Sequence, residues 1–396
     1  MKDLPWQILF MYRPAYGNLL LAQHAGRTAS RGRKIFPHRF PNAHTDKMFR
    51  LPHEAKNIQQ KERGISMSTS MNFAVFTAAL VRKMQEKMGK DFRVFSSTVK
   101  KNNGVELTGI ILEGKGCNTS PTIYIDDFFE DYEKGASLEE IAEAVWQIFR
   151  KNRFEESVDL SNFASYEKAK AQIAFRLVNF EKNRELLKEV PCKIFCNLAV
   201  VFYYSVNEAP FYGKASILIK QEHLEKWGVS LEELYRNAMK NTPRMYPARI
   251  ENIESVMVQM LEKGLVDEND ISVKMADRQE QKWMDEVLSQ LQDDFKRDES
   301  RIPMYVLSNE QKLYGAACML YPDILVKFSN LIQNDFYILP SSIHEVILLP
   351  FREQSEREAL LEMVTEINRT QVEESEVLAD SVYCFTRSDQ KIWQLC

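Results

Sequence analysis

The residues best suited to chemistry lie together in one short stretch, which contains Ser341, Ser342, His344 and Glu345. A serine, a histidine and a carboxylate serve as nucleophile, base and orienting group in hydrolases and transferases. The apolar run that follows predicts a buried strand, in which successive side chains point to opposite faces. Ser342 and His344 would then share a face, and Glu345 would point away. Three interpretations stay open: nucleophilic catalysis, a binding pocket, or a polar entry to the strand in which His344 is hydrogen-bonded to the backbone or to Glu345.

A second candidate cluster is acidic and consists of Asp126, Asp127, Glu130 and Asp131, where a predicted strand meets a predicted helix. Paired carboxylates can bind Mg²⁺ or share a proton. Carboxylates are also favoured at a helix N-terminus, where they cap N–H groups and compensate the helix dipole. The spacing Asp127-x-x-Glu130 predicts a capping box, so we favour the structural role. Asp126, Asp127 and Asn241 are kept as candidate binding residues.

Signals for a cofactor are incomplete. The segment Gly109–Gly116 resembles a phosphate-binding loop, but Gly116 stands where a serine or threonine is needed, and the intervening residues are strand-like. Cys192 and Cys196 would share a helical face, yet no nearby histidine completes a tetrahedral zinc site. The six cysteines are irregularly spaced, which is typical of reduced thiols in an intracellular protein. We therefore predict neither a metal nor another cofactor.

Positive charge is concentrated near the N-terminus. Residues 1–66 contain 12 Lys or Arg and four Asp or Glu, a net charge of +8, whereas the whole chain carries −4. The remainder therefore carries −12, which makes nucleic acid an unlikely ligand of the main domains. Five prolines interrupt any long element within residues 1–66, which we predict to be disordered. Three interpretations stay open: an extension outside the functional protein, a basic arm that contacts nucleic acid, or a targeting peptide.

From Met71 onward, hydrophobic periodicity predicts alternating helices and strands. Apolar residues recur at helical spacing over residues 73–88, and Gly89 is the predicted helix end. The dipeptide Asn103-Gly104 favours a type I′ turn and predicts a β-hairpin. The spacing Ser137-x-x-Glu140 predicts a further capping box.

The predicted fold class is α+β, with two lobes of mostly antiparallel sheet packed with helices. The N-terminal lobe covers residues 71–263, a charged connecting helix covers 264–301, and the C-terminal lobe covers 302–393. In the second lobe we expect a strand at Gly315–Met319 and a helix that begins at Pro322. The chain has no uncharged run of 18 apolar residues, so no membrane-spanning helix is expected.

Five segments resemble a bacterial family of unknown function, DUF5688, which is common in gut anaerobes of the clostridial type. They are Asn102–Gly109, Ser120–Tyr124, Tyr314–Ala317, Ile338–Ile347 and Leu378–Tyr383. The likeness covers roughly Met71 to Trp393 and leaves residues 1–66 uncovered. A weaker similarity to a second uncharacterised bacterial family rests on a Trp-Gly pair followed by Ala-x-x-Asn. Neither resemblance implies an activity, a cofactor or a catalytic set.

The absence of a complete catalytic motif favours a non-enzymatic binding or regulatory protein. We expect a groove between its two lobes that holds a protein or peptide partner, and we expect the protein to be cytoplasmic. The first alternative is a hydrolase or transferase that uses Ser342 and His344, with Glu345 as a further weak candidate. The second alternative is nucleic-acid contact by the basic segment. We expect no membrane association.

Overall fold

The computed structural model describes residues 71–115, 120–153, 160–206, 215–253, 255–256, 303–340, 342–351 and 357–395. The basic segment 1–66 and the predicted connecting helix 264–301 lie outside the described residues. The chain forms two compact units. The smaller unit contains residues 71–100 and 106–153, and the larger unit contains residues 101–105 and those described from 160 onward.

The smaller unit packs helices against a three-stranded antiparallel sheet in the order β1-β2-β3. Its elements are α1 (Phe73–Met88), β1 (Phe92–Lys100), β2 (Glu106–Gly114), β3 (Thr122–Tyr124), α2 (Asp126–Glu133) and α3 (Leu138–Asn152). Phe76, Leu80 and Met84 recur every four residues on α1 and are fully buried in the core of this unit. Helix α1 ends at Gly89, as predicted.

The predicted β-hairpin is confirmed. Strands β1 and β2 pair from Phe92↔Gly114 to Lys100↔Glu106, and both residues at the turn have positive φ, 62° at Asn103 and 72° at Gly104. A type I′ turn requires positive φ at both central positions. The turn, Lys101–Val105, belongs to the larger unit.

The first sheet of the larger unit is built around a strand in which every residue is buried, β6 (Leu198–Val206). Its partners are β4 (Ile173–Asn179), β5 (Cys192–Phe195) and β7 (Ala215–Leu218), all antiparallel to β6. The helices of this region are α4 (Tyr166–Ala169), α5 (Arg184–Leu187), α6 (Gln221–Trp227) and α7 (Leu231–Met245). The helical face predicted for Cys192 and Cys196 is wrong, because β5 occupies this stretch and Cys196 follows in a turn.

The second sheet of the larger unit has six antiparallel strands in the order β13-β12-β10-β11-β9-β8. They are β8 (Ala248–Asn252), β9 (Tyr305–Asn309), β10 (Phe336–Leu339), β11 (Val346–Pro350), β12 (Val382–Thr386) and β13 (Lys391–Leu395). Helices α8 (Ile324–Ile332) and α9 (Arg357–Gln371) complete this part. Strand β8 pairs with β9, so the sheet joins residues from before and after the stretch 264–301.

The α+β class and the antiparallel sheets are confirmed, whereas two predictions for the stretch 315–324 are wrong. Gly315–Leu320 forms a 3₁₀ helix rather than a strand, and residues 315–319 are all buried. A run of small apolar residues has no period that separates a strand from a buried helical turn. Helix α8 begins at Ile324 after Asp323 with φ of 62°, so Pro322 lies outside it.

The two predicted capping boxes have different outcomes. Ser137 and Glu140 form the reciprocal bonds of a capping box at the start of α3. Helix α2 instead begins at Asp126, so Asp127 lies inside it and does not cap it. Within the described part of the chain, no helix is both long and apolar enough to cross a bilayer.

Candidate functional site

The loop between β10 and β11 holds Ser342, His344 and Glu345, and neighbouring main chain fixes its course. Ser342 forms an isolated β-bridge with Val377, and the Ile343 N–H donates to the Glu376 carbonyl at 2.9 Å. The Ser308 hydroxyl donates to the His344 carbonyl at 2.8 Å. Ser341 lies outside the described residues. These bonds hold the backbone of the loop on both sides.

The imidazole of His344 is enclosed. Its Nδ1 accepts a hydrogen bond from the Tyr314 N–H at 3.3 Å, and its Nε2 lies 3.8 Å from the nearest carboxylate oxygen of Glu376. The ring stacks on the Tyr314 ring, with centroids 5.8 Å apart and an angle of 11° between the planes. Burial lowers the pKa of His344 to about 4, and the Arg176 charge acts in the same direction. The imidazole is therefore neutral at pH 7.

The Ser342 hydroxyl contacts the main chain of His344. The His344 N–H donates to Ser342 Oγ at 3.0 Å. A serine nucleophile needs its hydroxyl on the imidazole of its base, and here His344 Nδ1 is engaged by the Tyr314 N–H. Catalysis by the Ser342 and His344 pair stays a prediction.

Glu345 is a buried carboxyl group, 9% exposed. Burial raises its pKa to about 7, and the Glu376 charge adds to the rise while Lys312 opposes it. The folded chain therefore retains a proton on Glu345 at pH values at which the unfolded chain has released it.

Replacing Glu345 with glutamine is expected to stabilise the larger unit at pH 8. The pKa of Glu345 is about 7 in the folded chain and about 4.5 in the unfolded chain. The protonated side chain therefore contributes stability that is fully present below about pH 4.5 and is lost as the pH rises through 7. Glutamine stays neutral, so the free energy of unfolding at pH 8 should increase by up to about 3 kcal/mol, with little gain at pH 4.5. Urea unfolding at both pH values measures this difference. Glu358→Gln, on the exposed face of α9, is the control, and an equal gain at both pH values would contradict the assignment.

Arg176 and Lys101 bring positive charge to the same region. Arg176 projects from β4, and its guanidinium carbon lies 4.6 Å from the centroid of the Tyr314 ring. Burial lowers the pKa of Lys101 to about 8, with Arg176 lowering it further and Glu373 opposing the change. We define the charged cluster as the seven side chains linked by these effects. They are Lys101, Arg176, Lys312, His344, Glu345, Glu373 and Glu376.

The other predicted site residues lie elsewhere. Asp126 and Asp127 are in the smaller unit, where the Asp126 carboxylate accepts a hydrogen bond from the Thr108 N–H at 3.0 Å. Asn241 lies on α7, and its amide donates to the carbonyls of Lys170 and Ile173 at 2.6 and 3.1 Å. The structure therefore brings together only the residues of the 342–345 loop.

Five members of the charged cluster were missed by sequence reasoning: Lys101, Arg176, Lys312, Glu373 and Glu376. They lie far apart in the chain and form no motif. One weak signal existed. Arg176 interrupts the apolar run of β4, and the six remaining residues of that strand are all buried. An isolated charge in a buried strand requires a partner or a function.

The site offers no evident means to hold a metal. Across the residues that the structure describes, no group of three or more His, Cys, Asp or Glu is arranged for a metal ion. The glycine-rich segment considered for phosphate is part of β2 as far as Gly114. The cluster can provide charge and hydrogen bonds to a ligand.

Comparison with known proteins identifies a family. Residues 73–387 match the model of a family described as Family of unknown function (DUF5688). No curated protein and no solved structure matches the chain. The matched range includes every residue of the charged cluster.

Proposed function

We propose that this chain, which belongs to the DUF5688 family of unknown function, is a non-catalytic binding protein whose ligand site is the charged cluster. The geometry of the cluster carries the proposal: the Tyr314 ring stacks on His344 and lies 4.6 Å from the Arg176 guanidinium carbon, and a Glu376 carboxylate oxygen lies 3.8 Å from His344 Nε2. Three titratable side chains of the same cluster also have displaced pKa values. These are about 8 for Lys101, about 4 for His344 and about 7 for Glu345. Displaced pKa values concentrate at functional sites, because binding and catalysis require charges that are only partly solvated.

The hydrogen bonds around His344 favour binding over nucleophilic catalysis. Its Nδ1 and the Ser342 hydroxyl both bond to main-chain N–H groups. Such bonds fix the position of the loop and leave charge recognition to the surrounding side chains.

We place the protein in the bacterial cytoplasm, with a protein or peptide as the expected partner. The four cysteines within the described segments, Cys192, Cys196, Cys318 and Cys384, are free thiols, which agrees with a reducing compartment. The net charge of −12 outside residues 1–66 disfavours nucleic acid as the ligand of this site.

Ligand capture by matched variants tests the proposal. The full chain is immobilised and exposed to an extract of its source cells, and retained molecules are identified by mass spectrometry. Glu376→Gln removes a carboxylate that lies 3.8 Å from His344 Nε2. Glu374→Gln changes an exposed side chain two residues away and is the control. We expect the wild-type chain and Glu374→Gln to retain the same molecule and Glu376→Gln to lose it.

Two outcomes would overturn the proposal. In one, no molecule distinguishes the wild-type chain from Glu376→Gln. In the other, the retained molecule is released in a chemically altered form, which would indicate an enzyme.

A further inference from the structure

We propose that Arg176 binds a carboxylate group of the ligand, with Lys101 as a second, supporting cation. This inference rests on the proposed function and adds the chemical class of the group that the charged cluster recognises. The carboxylate can belong to a small organic acid or to an acidic residue of a peptide, and the test below separates these sources.

Arg176 has a hydrogen-bond donor with no acceptor. Its Nε is buried and bonds to none of the residues that the structure describes, and within that part of the chain Arg176 forms no ion pair. Buried polar groups are nearly always hydrogen-bonded, so an orphaned charged donor requires an explanation. Arg176 as a whole is partly exposed, unlike the six other residues of β4.

The surroundings orient the guanidinium and raise the local positive potential. The Tyr314 ring stacks on the His344 ring. It also forms a cation–π contact with Arg176, whose guanidinium carbon lies 4.6 Å from the Tyr314 ring centroid. His344 adds no positive charge at pH 7, since its pKa is about 4. Burial lowers the pKa of Lys101, the charge of Arg176 lowers it further, and Glu373 raises it. Two neighbouring cations repel each other, and an anion bound at Arg176 would relieve that repulsion.

The charges of the cluster favour a carboxylate over a phosphate. The Nε–H and a terminal N–H of arginine form a planar fork that matches two oxygens of either a carboxylate or a phosphate, so the neighbouring charges decide between the two groups. Glu373 and Glu376 also belong to the cluster. Their negative charges would oppose a phosphate dianion more strongly than a carboxylate monoanion.

The test observes the donor itself. In ¹H–¹⁵N NMR spectra of the full chain, the Arg176 Nε–H signal is assigned as the one absent from Arg176→Lys. The probes are succinate, a capped Gly-Glu-Gly peptide and inorganic phosphate, each at constant ionic strength. Arg249→Lys is the control, because Arg249 lies on a strand of the same unit and pairs with Glu251 at 2.7 Å.

We expect a saturable downfield shift of the Nε–H signal with succinate, with the peptide or with both. Arg176→Lys keeps the charge but lacks the fork, and should lower the affinity about tenfold or more, whereas Arg249→Lys should leave it unchanged. A response to the peptide alone identifies an acidic peptide as the source, and a response to succinate identifies a small organic acid. The inference is overturned if phosphate binds more tightly than both carboxylates, if neither carboxylate shifts the signal, or if Arg176→Lys binds as the wild-type chain does. The proposed function fails separately, when ligand capture does not distinguish Glu376→Gln.

Discussion

Gly315→Ala is expected to destabilise the larger unit by on the order of 4 kcal/mol. A Cβ at this position would lie 2.1 Å from Ser308 Oγ, 2.5 Å from the His344 carbonyl oxygen and 2.8 Å from the Asn309 nitrogen. Two of these atoms belong to the main chain, so rotation of a side chain cannot relieve the contact. Strand β9 or the His344 loop would have to move.

Urea unfolding of Gly315→Ala and Gly228→Ala measures the effect of this contact. Gly228 belongs to the same unit and has φ of 67°, but a Cβ there would meet nothing within 4 Å. Its replacement should cost only the strain of a left-handed residue, about 1 kcal/mol. Adding Ser308→Ala to Gly315→Ala removes the contact with Ser308 Oγ and should restore part of the lost stability. The recovery should be incomplete, because the contacts with the two main-chain atoms remain. Equal stability of the two glycine variants would show that residue 315 does not approach the His344 loop so closely.

The fold class and part of the local turn and cap chemistry could be predicted from sequence, although the capping box predicted at Asp127 is wrong. The Asn103-Gly104 turn and the Ser137 capping box both depend on residues within five positions of one another. The 3₁₀ helix at Gly315–Leu320 depends instead on long-range packing against Ser308 and His344. No pattern within the segment itself carries that information.

The candidate site shows the same limit. Sequence reasoning found Ser342, His344 and Glu345, because they are adjacent. Arg176 and Lys101 are brought to them by the pairing of strands and by the hairpin turn. The expectation that Ser342 would face the imidazole assumed an extended strand. The chain instead bends at Ile343 and His344, so the Ser342 hydroxyl meets the His344 N–H.

Asn103→Ala is expected to cost the larger unit on the order of 4 kcal/mol. The Asn103 amide donates to the carbonyls of Glu374 and Val377 at 2.6 and 2.7 Å. Asn183 Nδ2 donates to Asn103 Oδ1, and the Asn103 N–H donates to Asn183 Oδ1, both at 2.9 Å. Alanine would remove the bonds to the Glu374 and Val377 carbonyls and one of the two bonds of the Asn183 amide, which still donates to the Asn179 carbonyl. A buried group left without its partner costs about 1–3 kcal/mol. Alanine also tolerates the φ of 62° less well than asparagine.

Three variants separate these causes. Asn103→Gly relieves the backbone strain but still loses the side-chain bonds, so it should recover only about 1 kcal/mol of the loss. Asn102→Ala removes a single bond, from its amide to the Ser375 carbonyl at 2.8 Å, and should cost about 1 kcal/mol. Asn103→Asp keeps the shape but turns a carboxylate toward two carbonyl oxygens, which raises its pKa in the folded state. Its destabilisation should therefore diminish as the pH falls toward about 4, the pKa of aspartate in the unfolded chain, and level off below that pH.

Hydrogen exchange links the Asn103 bonds to the charged cluster. The stretch that Asn103 holds, residues 374–377, includes Glu376, whose carboxylate lies 3.8 Å from His344 Nε2, and whose carbonyl accepts the Ile343 N–H. Asn103→Ala should therefore accelerate exchange at Ile343, although residues 103 and 343 are not bonded to each other. Asn102→Ala loses only one bond to the same stretch, at Ser375, and should accelerate exchange at Ile343 less. If Asn103→Ala lowers stability but leaves Ile343 protected, the turn stabilises the unit without positioning the cluster, and the two roles are independent.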